Sequence, residues 1–290
     1  MLQQTRVAAV IEHYHEFLRR FPTIEKLASA REPSVLAAWS GLGYYRRARM
    51  LHAAAKVVVR EHGGKFPSSA EQLRALPGIG RYTSSAIASI AFDESVPVVD
   101  GNVERVLQRV AGKRLSEEQL WQAAGRFLDH SRPGDFNQAM MELGAIVCTP
   151  RAPQCLTCPV VAQCATRGEL AATNRPASQK KREIHYVLDC RDGKVLLVRR
   201  PLDASLMAGM WELPEVSVIP GNHNPSFTLR HSITVTDYAV KVFRAAVPPE
   251  CRGKWIPEDR LRRVALTGLA RKILRKAGVL PPTLKISHER

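Results

Sequence analysis

The sequence predicts a mainly α-helical first portion that carries a metal-holding loop, followed by a smaller α+β portion. Three observations predict this. Apolar residues recur at helical spacing to about residue 165, four cysteines crowd into residues 148–164, and beyond a polar basic stretch the apolar period shortens to that of strands.

In the first portion Val7, Val10, Ile11, Tyr14, Phe17 and Leu18 fall at helical spacings, as do Leu51, Ala54, Ala55 and Val58. Pro22, Pro33, Gly41, Gly43, Gly63, Gly64, Pro67 and Pro77 punctuate it at intervals that suit short helix connections. Residues 168–182 are polar and end in Lys180, Lys181 and Arg182, which reads as a linker. After it, residues 185–189 and 194–200 flank a turn-like Asp192-Gly193 and predict a β-hairpin. Residues 232–240 read as a further strand, and residues 266–276 as a closing basic helix. The expected organisation is a first domain over residues 1–167, including the cysteine loop at 148–164, the linker at 168–182, a second domain over 183–282 and a tail at 283–290.

Forty-three Lys and Arg against 27 Asp and Glu give a formal net charge of +16. Such an excess favours a polyanion, nucleic acid first and an anionic membrane second, although basic charge can also serve solubility alone. No apolar run approaches the roughly 20 residues that span a bilayer, and no signal-like segment opens the chain, so a cytoplasmic protein is expected, nucleoid-associated if bacterial.

Cys148, Cys155, Cys158 and Cys164 have the spacing C-x6-C-x2-C-x5-C, so one short loop can bring four soft thiolates around one centre. Ligand chemistry leaves structural zinc and an iron-sulfur cluster equally open. Cys190 and Cys251 stand apart and read as free thiols. Arg151 and Arg167 lie in or beside the loop, where they can face phosphate.

Leu76-Pro77-Gly78-Ile79-Gly80 joins two helical stretches, and its glycines allow a tight turn with outward N–H groups that can hold a phosphate without reading a base. An ordinary helix connection reads equally well. Farther on, Val98-Val99-Asp100-Gly101-Asn102-Val103 places an acid at a Gly-containing helix entry, a pattern that N-capping alone also explains.

Together these two segments resemble the helix-hairpin-helix and Gly/Pro-rich-Asp element of base-excision DNA glycosylases in the endonuclease III superfamily. The resemblance implies that Asp100 stabilises the positive charge that builds on the sugar as a base leaves, with Asn102 orienting active-site groups. It implies backbone contacts at Gly78, Gly80 and Arg81, flipping of the target base from the duplex, and a 4Fe-4S cluster on the four cysteines. Lyase-active relatives carry a lysine where this chain has Tyr82, which points to a monofunctional, water-using enzyme.

Three more segments narrow the family. Met1-Leu2-Gln3-Gln4-Thr5, Gly41-Leu42-Gly43-Tyr44-Tyr45-Arg46-Arg47 and residues 136–144 are similar to MutY-type adenine DNA glycosylases. In that family the segment matching Leu2, Gln3, Gln4 and Thr5 wedges into the duplex, and the tyrosine matching Tyr44 intercalates beside 8-oxoguanine. Residues 192–197 and 209–214 resemble the Nudix-like C-terminal domain of the same family, without a glutamate-rich Mg2+ helix after Pro214. Its lesion-reading loop is matched to Arg230-His231-Ser232. The implied fold is thus a helix-hairpin-helix glycosylase domain with an iron-sulfur loop plus a small α+β Nudix-like domain. The implied function is removal of adenine opposite 8-oxoguanine or guanine in double-stranded DNA, by a monomer.

The family's general acid is a glutamate two residues before the methionine at which this chain begins. As given, the chain is therefore expected to excise little adenine; either the true start lies upstream, or the product is a lesion-binding fragment. A thymine or oxidised-pyrimidine glycosylase of the same superfamily is the other enzyme expected.

Overall fold

The computed structural model describes residues 1, 7–170, 180–217, 224–233, 236–247 and 251–281. The expected wedge residues Leu2, Gln3, Gln4 and Thr5 and the tail at 283–290 lie outside them. Helices run α1 (Val7–Arg20), α2 (Ile24–Ser29), α3 (Glu32–Trp39), α4 (Arg46–His62), α5 (Ala70–Arg74) and α6 (Arg81–Phe92). They continue with α7 (Gly101–Ala111), α8 (Glu117–Phe127), α9 (Pro133–Glu142) and, after the strands, α10 (Gly268–Lys276). Contacts group the chain into two compact units: Met1–His52 with Pro176–Arg290, and Ala53–Arg175.

In the first of these units, α1 packs on α3 through aromatic edges, with Phe17 against Trp39 at 6.1 Å and against Phe21 at 4.9 Å between ring centroids. The predicted apolar face of α1 is narrower than its spacing implies: Val10 and Phe17 are buried, but Tyr14 and Leu18 are 51% and 44% exposed. Thr23 caps α2 by accepting from the Lys26 N–H, and Pro33 sits in the first turn of α3, where its missing donor costs nothing.

The same unit holds the strands β1 (Lys180–Leu188), β2 (Cys190–Arg191), β3 (Lys194–Arg199), β4 (Trp211–Glu212), β5 (Phe227–Ile233), β6 (Thr236–Arg244) and β7 (Lys254–Pro257). One sheet has the order β1-β6-β5; in the other, β3 lies between β2 and β4 and also pairs with β7. Three expectations change here. The hairpin around Asp192-Gly193 shrinks to two pairs, Cys190↔Val195 and Arg191↔Lys194, because β1 runs parallel to β6 instead of turning back on β3. The chain breaks away at Asp189, a buried carboxylate that accepts twice from Arg191, at 2.9 and 2.8 Å, and once from the Val247 N–H at 2.9 Å. Residues 232–240 are two antiparallel strands with Ile233 opposite Thr236, not one. Lys180, Lys181 and Arg182, expected in the tether, open β1 opposite Thr236, Asp237 and Tyr238.

Leu197, Leu213, Leu266, Ile273 and Leu274 form the centre of this core, and α10 covers it with one apolar face. Each such side chain contributes roughly 1.5–3 kcal/mol by leaving water.

The second compact unit is helical, and α5, α7 and α8 start on side-chain caps. Ser69 caps α5, and Ser116 with Gln119 forms a capping box on α8. The amphipathic faces of α7 and α8 meet through Val103, Leu107, Leu120 and Ala124.

Candidate functional site

The predicted turn at Leu76–Gly80 forms between α5 and α6. Gly78 adopts φ +76°, a left-handed conformation that only glycine takes at no cost, and Gly80 is the N-cap of α6 without any side-chain cap. The first-turn amides of α6 thus carry no capping side chain, and the helix dipole adds to their pull on an anion. Arg81, in that first turn, lays its guanidinium 4.0 Å from the centroid of Trp121 and 3.8 Å from Glu118.

Asp100 is the N-cap of α7, so the capping and catalytic readings apply to the same carboxylate. Its Oδ1 accepts from the N–H groups of Asn102 and Val103, each at 2.8 Å, and Oδ2 accepts from Asn102 Nδ2 at 3.2 Å. Asp100 is only half-buried, leaving Oδ2 with acceptor capacity. Tyr82 comes to the same place from α6. Burial and the nearby Asp100 charge raise its phenol pKa, so it stays protonated at neutral pH and donates to Met141 Sδ at 3.7 Å. The structure thus brings together Asp100, Asn102 and Tyr82.

Three residues around them carried no role in the sequence reading. Asn137 on α9 is 3% exposed and ties down the strand-like approach to Asp100: its Oδ1 accepts from the Val98 N–H at 3.1 Å, and its Nδ2 donates to Val96 O at 2.9 Å. Arg105, one turn into α7, donates from Nη2 to Asn102 Oδ1 at 2.8 Å and to the Gly144 carbonyl, and from Nε to the Cys148 carbonyl at 2.7 Å. Gly144 lies in the π-helical turn Leu143–Val147 that follows α9. A Cβ there would stand 2.6 Å from Asn102 Cβ and 2.8 Å from its carbonyl oxygen, so only glycine fits. The one signal available was the helical i, i+3 spacing of Asn102 and Arg105.

Cys148, Cys155, Cys158 and Cys164 line one cavity with Val106, Leu143, Val147, Val160 and Val161, and none forms a disulfide. Among the described residues, no three His, Cys, Asp or Glu side chains converge closely enough to share a single metal ion. Four sulfurs lining one apolar cavity are a donor set for a soft-metal centre, zinc or iron-sulfur alike. Donors already face the sulfurs: Arg109 Nη1 lies 3.3 Å from Cys148 Sγ, and the Arg167 N–H lies 3.4 Å from Cys164 Sγ. Arg109 also holds the loop by donating to Thr149 O at 2.8 Å and Pro150 O at 3.1 Å. Arg151 and Arg167 are exposed.

In the other compact unit, Tyr44 is 53% exposed and has φ +47°, a conformation a tyrosine adopts only at a cost. Arg47 stacks beneath it at 5.4 Å and over Trp39 at 5.5 Å. His231 lies on β5, with its imidazole pKa lowered by burial and by Lys272.

Residues 1–125 match the family described as HhH-GPD superfamily base excision DNA repair protein. Adenine DNA glycosylase of Mus musculus is 41% identical over 279 residues, covering 77% of this chain and 54% of that protein. The Arabidopsis thaliana protein of the same name is 40% identical over 288 residues, covering 84% of this chain and 45% of its own length. The chain therefore spans about half the length of these curated relatives. Among solved structures, a thermostable thymine-DNA glycosylase superposes with a TM-score of 0.54 at 28% identity, covering 57% of this chain and 79% of that one. These likenesses agree with one another: residues 1–125 match the HhH-GPD superfamily of base excision DNA repair proteins, and over most of its length the chain is similar to adenine DNA glycosylases.

Proposed function

We propose that the chain acts in base excision repair by hydrolysing the N-glycosidic bond of adenine mispaired with 8-oxoguanine or guanine in duplex DNA. The observation that carries this reading is the half-buried Asp100 carboxylate, fixed by two backbone amides and Asn102, beside a neutral Tyr82 phenol where lyases hold an amine. As the base departs, positive charge grows on the sugar, and a preorganised carboxylate stabilises it with no reorganisation. The amides that hold Asp100 fix its carboxylate in one orientation, which this role requires. With no lysine at position 82, water completes the reaction and the strand is left intact.

The proposal places a 4Fe-4S cluster on Cys148, Cys155, Cys158 and Cys164. Bound there, it would fix the shape of the loop, while Arg151 and Arg167 supply the charge for phosphate contact. The Tyr44 turn is assigned to the lesion side of the duplex, on the strength of its exposure and strained φ. The α+β portion is assigned as a Nudix-like lesion-recognition domain over residues 183–282, supported by segments 192–197 and 209–214.

Single-turnover assays test the reading. Any base released from duplexes with 8-oxoguanine:adenine or guanine:adenine should be adenine, in the small yield expected of this chain, with nicking only after alkali and no protein trapped by borohydride. Release of thymine from guanine:thymine, or of an oxidised pyrimidine, with adenine untouched would replace it with the other superfamily activity.

A further inference from the structure

The turn that exposes Tyr44 has positive φ at Gly41 (+110°) and Gly43 (+70°), where glycine bears no penalty, and at Tyr44 itself (+47°), where a side chain is strained. Strain of this kind persists only where surrounding contacts over-determine it. Part of the bracing is local. Trp39 Nε1 donates to Gly43 O at 3.2 Å, and Arg47 Nη2 donates to the same oxygen at 3.4 Å.

The rest comes from more than two hundred residues away. Ser40 Oγ donates to the Leu266 carbonyl at 2.6 Å, and Tyr45 Oη donates to that carbonyl at 3.3 Å while accepting from the Gly41 N–H at 3.3 Å. Arg271 Nε donates to Ser40 Oγ at 3.1 Å. Ser40, Tyr45 and Leu266 are 1%, 5% and 0% exposed, so water cannot substitute for these bonds. Leu266 is itself pinned to β4, since the Trp211 N–H donates to Ala265 O and the Thr267 N–H donates to Trp211 O, both at 2.9 Å. A continuous path of buried polar contacts thus runs from the second sheet to the backbone on either side of Tyr44.

Packing alone does not call for this chemistry. Arg271 is largely buried and forms no ion pair among the described residues. Burial and the neighbouring charges of Arg275 and Arg262 lower its pKa to about 10. A cation held under those conditions costs stability, and an apolar side chain of similar length would fill the space without the penalty.

We propose that Ser40, Tyr45 and Arg271 are positioning residues through which the C-terminal α+β portion sets the Tyr44 turn, so that discrimination of the lesion-bearing duplex is governed from Leu266 and α10. The inference rests on the assignment of Tyr44 to the duplex.

The test measures binding to a duplex with 8-oxoguanine opposite 2′-fluoroadenosine, whose sugar resists cleavage, and to the undamaged duplex. 2-Aminopurine beside the 8-oxoguanine reports unstacking. Tyr45→Phe and Ser40→Ala should each lower the affinity ratio about tenfold and quench the unstacking signal, with undamaged-duplex affinity unchanged. Ser40→Thr, which keeps the hydroxyl, should restore both. Combined with Tyr44→Ala, Tyr45→Phe should add nothing further. Arg271→Met should lower the ratio while leaving Tm equal or higher, a combination that a purely structural role cannot produce. If Tyr44→Ala lowers the ratio and the other variants do not, or if the effects add, the coupling is overturned and the Tyr44 assignment stands. If Tyr44→Ala itself leaves the ratio unchanged, the assignment falls and the coupling with it.

Discussion

Arg105 binds Asn102 and the cysteine loop with a single guanidinium: Nη2 reaches Asn102 Oδ1 at 2.8 Å and Nε reaches the Cys148 carbonyl at 2.7 Å. Asn102 in turn holds Asp100, so the carboxylate and a predicted cluster ligand share one rigid support.

Replacing Arg105 with Met should therefore reduce two properties at once. Losing charge-assisted bonds to partly buried acceptors costs about 1.5–3 kcal/mol, which at the transition state corresponds to roughly 10- to 100-fold in rate. Single-turnover excision and iron content per chain should both fall; normal iron with normal excision would show that the shared support is immaterial.

Asp100→Asn separates capping from chemistry. Asn caps helices as well as Asp does, so the free energy of unfolding should change by less than about 0.5 kcal/mol, whereas Asp100→Ala should cost roughly 1 kcal/mol. Both variants lose the negative charge. Affinity for a duplex holding a cationic pyrrolidine in place of the abasic sugar should fall by about 100-fold or more in each. Equal binding by Asp100→Asn and the parent chain would remove Asp100 from the charge-stabilising role.

Gly144→Ala must push the Leu143–Val147 turn away from Asn102, because the new methyl would stand 2.6 Å from Asn102 Cβ. Overpacking of this kind typically costs 1–3 kcal/mol. Here it should displace Asn102, so excision should fall more than the drop in unfolding midpoint suggests. Gly63→Ala serves as the comparison: it meets no atom within 4 Å and suffers only from its positive φ.

Much of this site was legible because it depends on local chemistry. Glycines mark the hairpin, an acid before Gly101 marks a helix start, and clustered cysteines mark the loop whose sulfurs line one cavity, and each acts within a few residues of itself. Arg105, Asn137 and Gly144 were not legible in the same way. Their partners lie 39 to 43 residues away, and nothing in their own surroundings distinguishes a bridging arginine from a solvated one. The strand errors have the same origin. Periodicity located apolar stretches correctly, but whether β1 folds back on β3 or pairs with β6 depends on a carboxylate, Asp189, that satisfies Arg191 and Val247 together.

One pH effect follows from His231. Burial, first, and the Lys272 charge, second, lower its folded pKa below the ordinary value, so folding favours the neutral imidazole. The resulting stability is fully present above about pH 6.5 and is lost as pH falls through the folded value. His231→Gln should flatten the decline in denaturation midpoint between about pH 7 and 5; an unchanged slope would mean that another group sets it.

Ser40 and Leu266 are 226 residues apart in the chain. At about 5–20 residues per second, a ribosome delivers Leu266 roughly 10 to 45 s after Ser40. During that interval Ser40 and Tyr45 lack the Leu266 carbonyl that takes both hydroxyls, while the helices of Ala53–Arg175 can already fold on one another. The early segment is thus the natural client for a holding chaperone, and slowed or aborted translation should expose it to proteolysis before any other part of the chain.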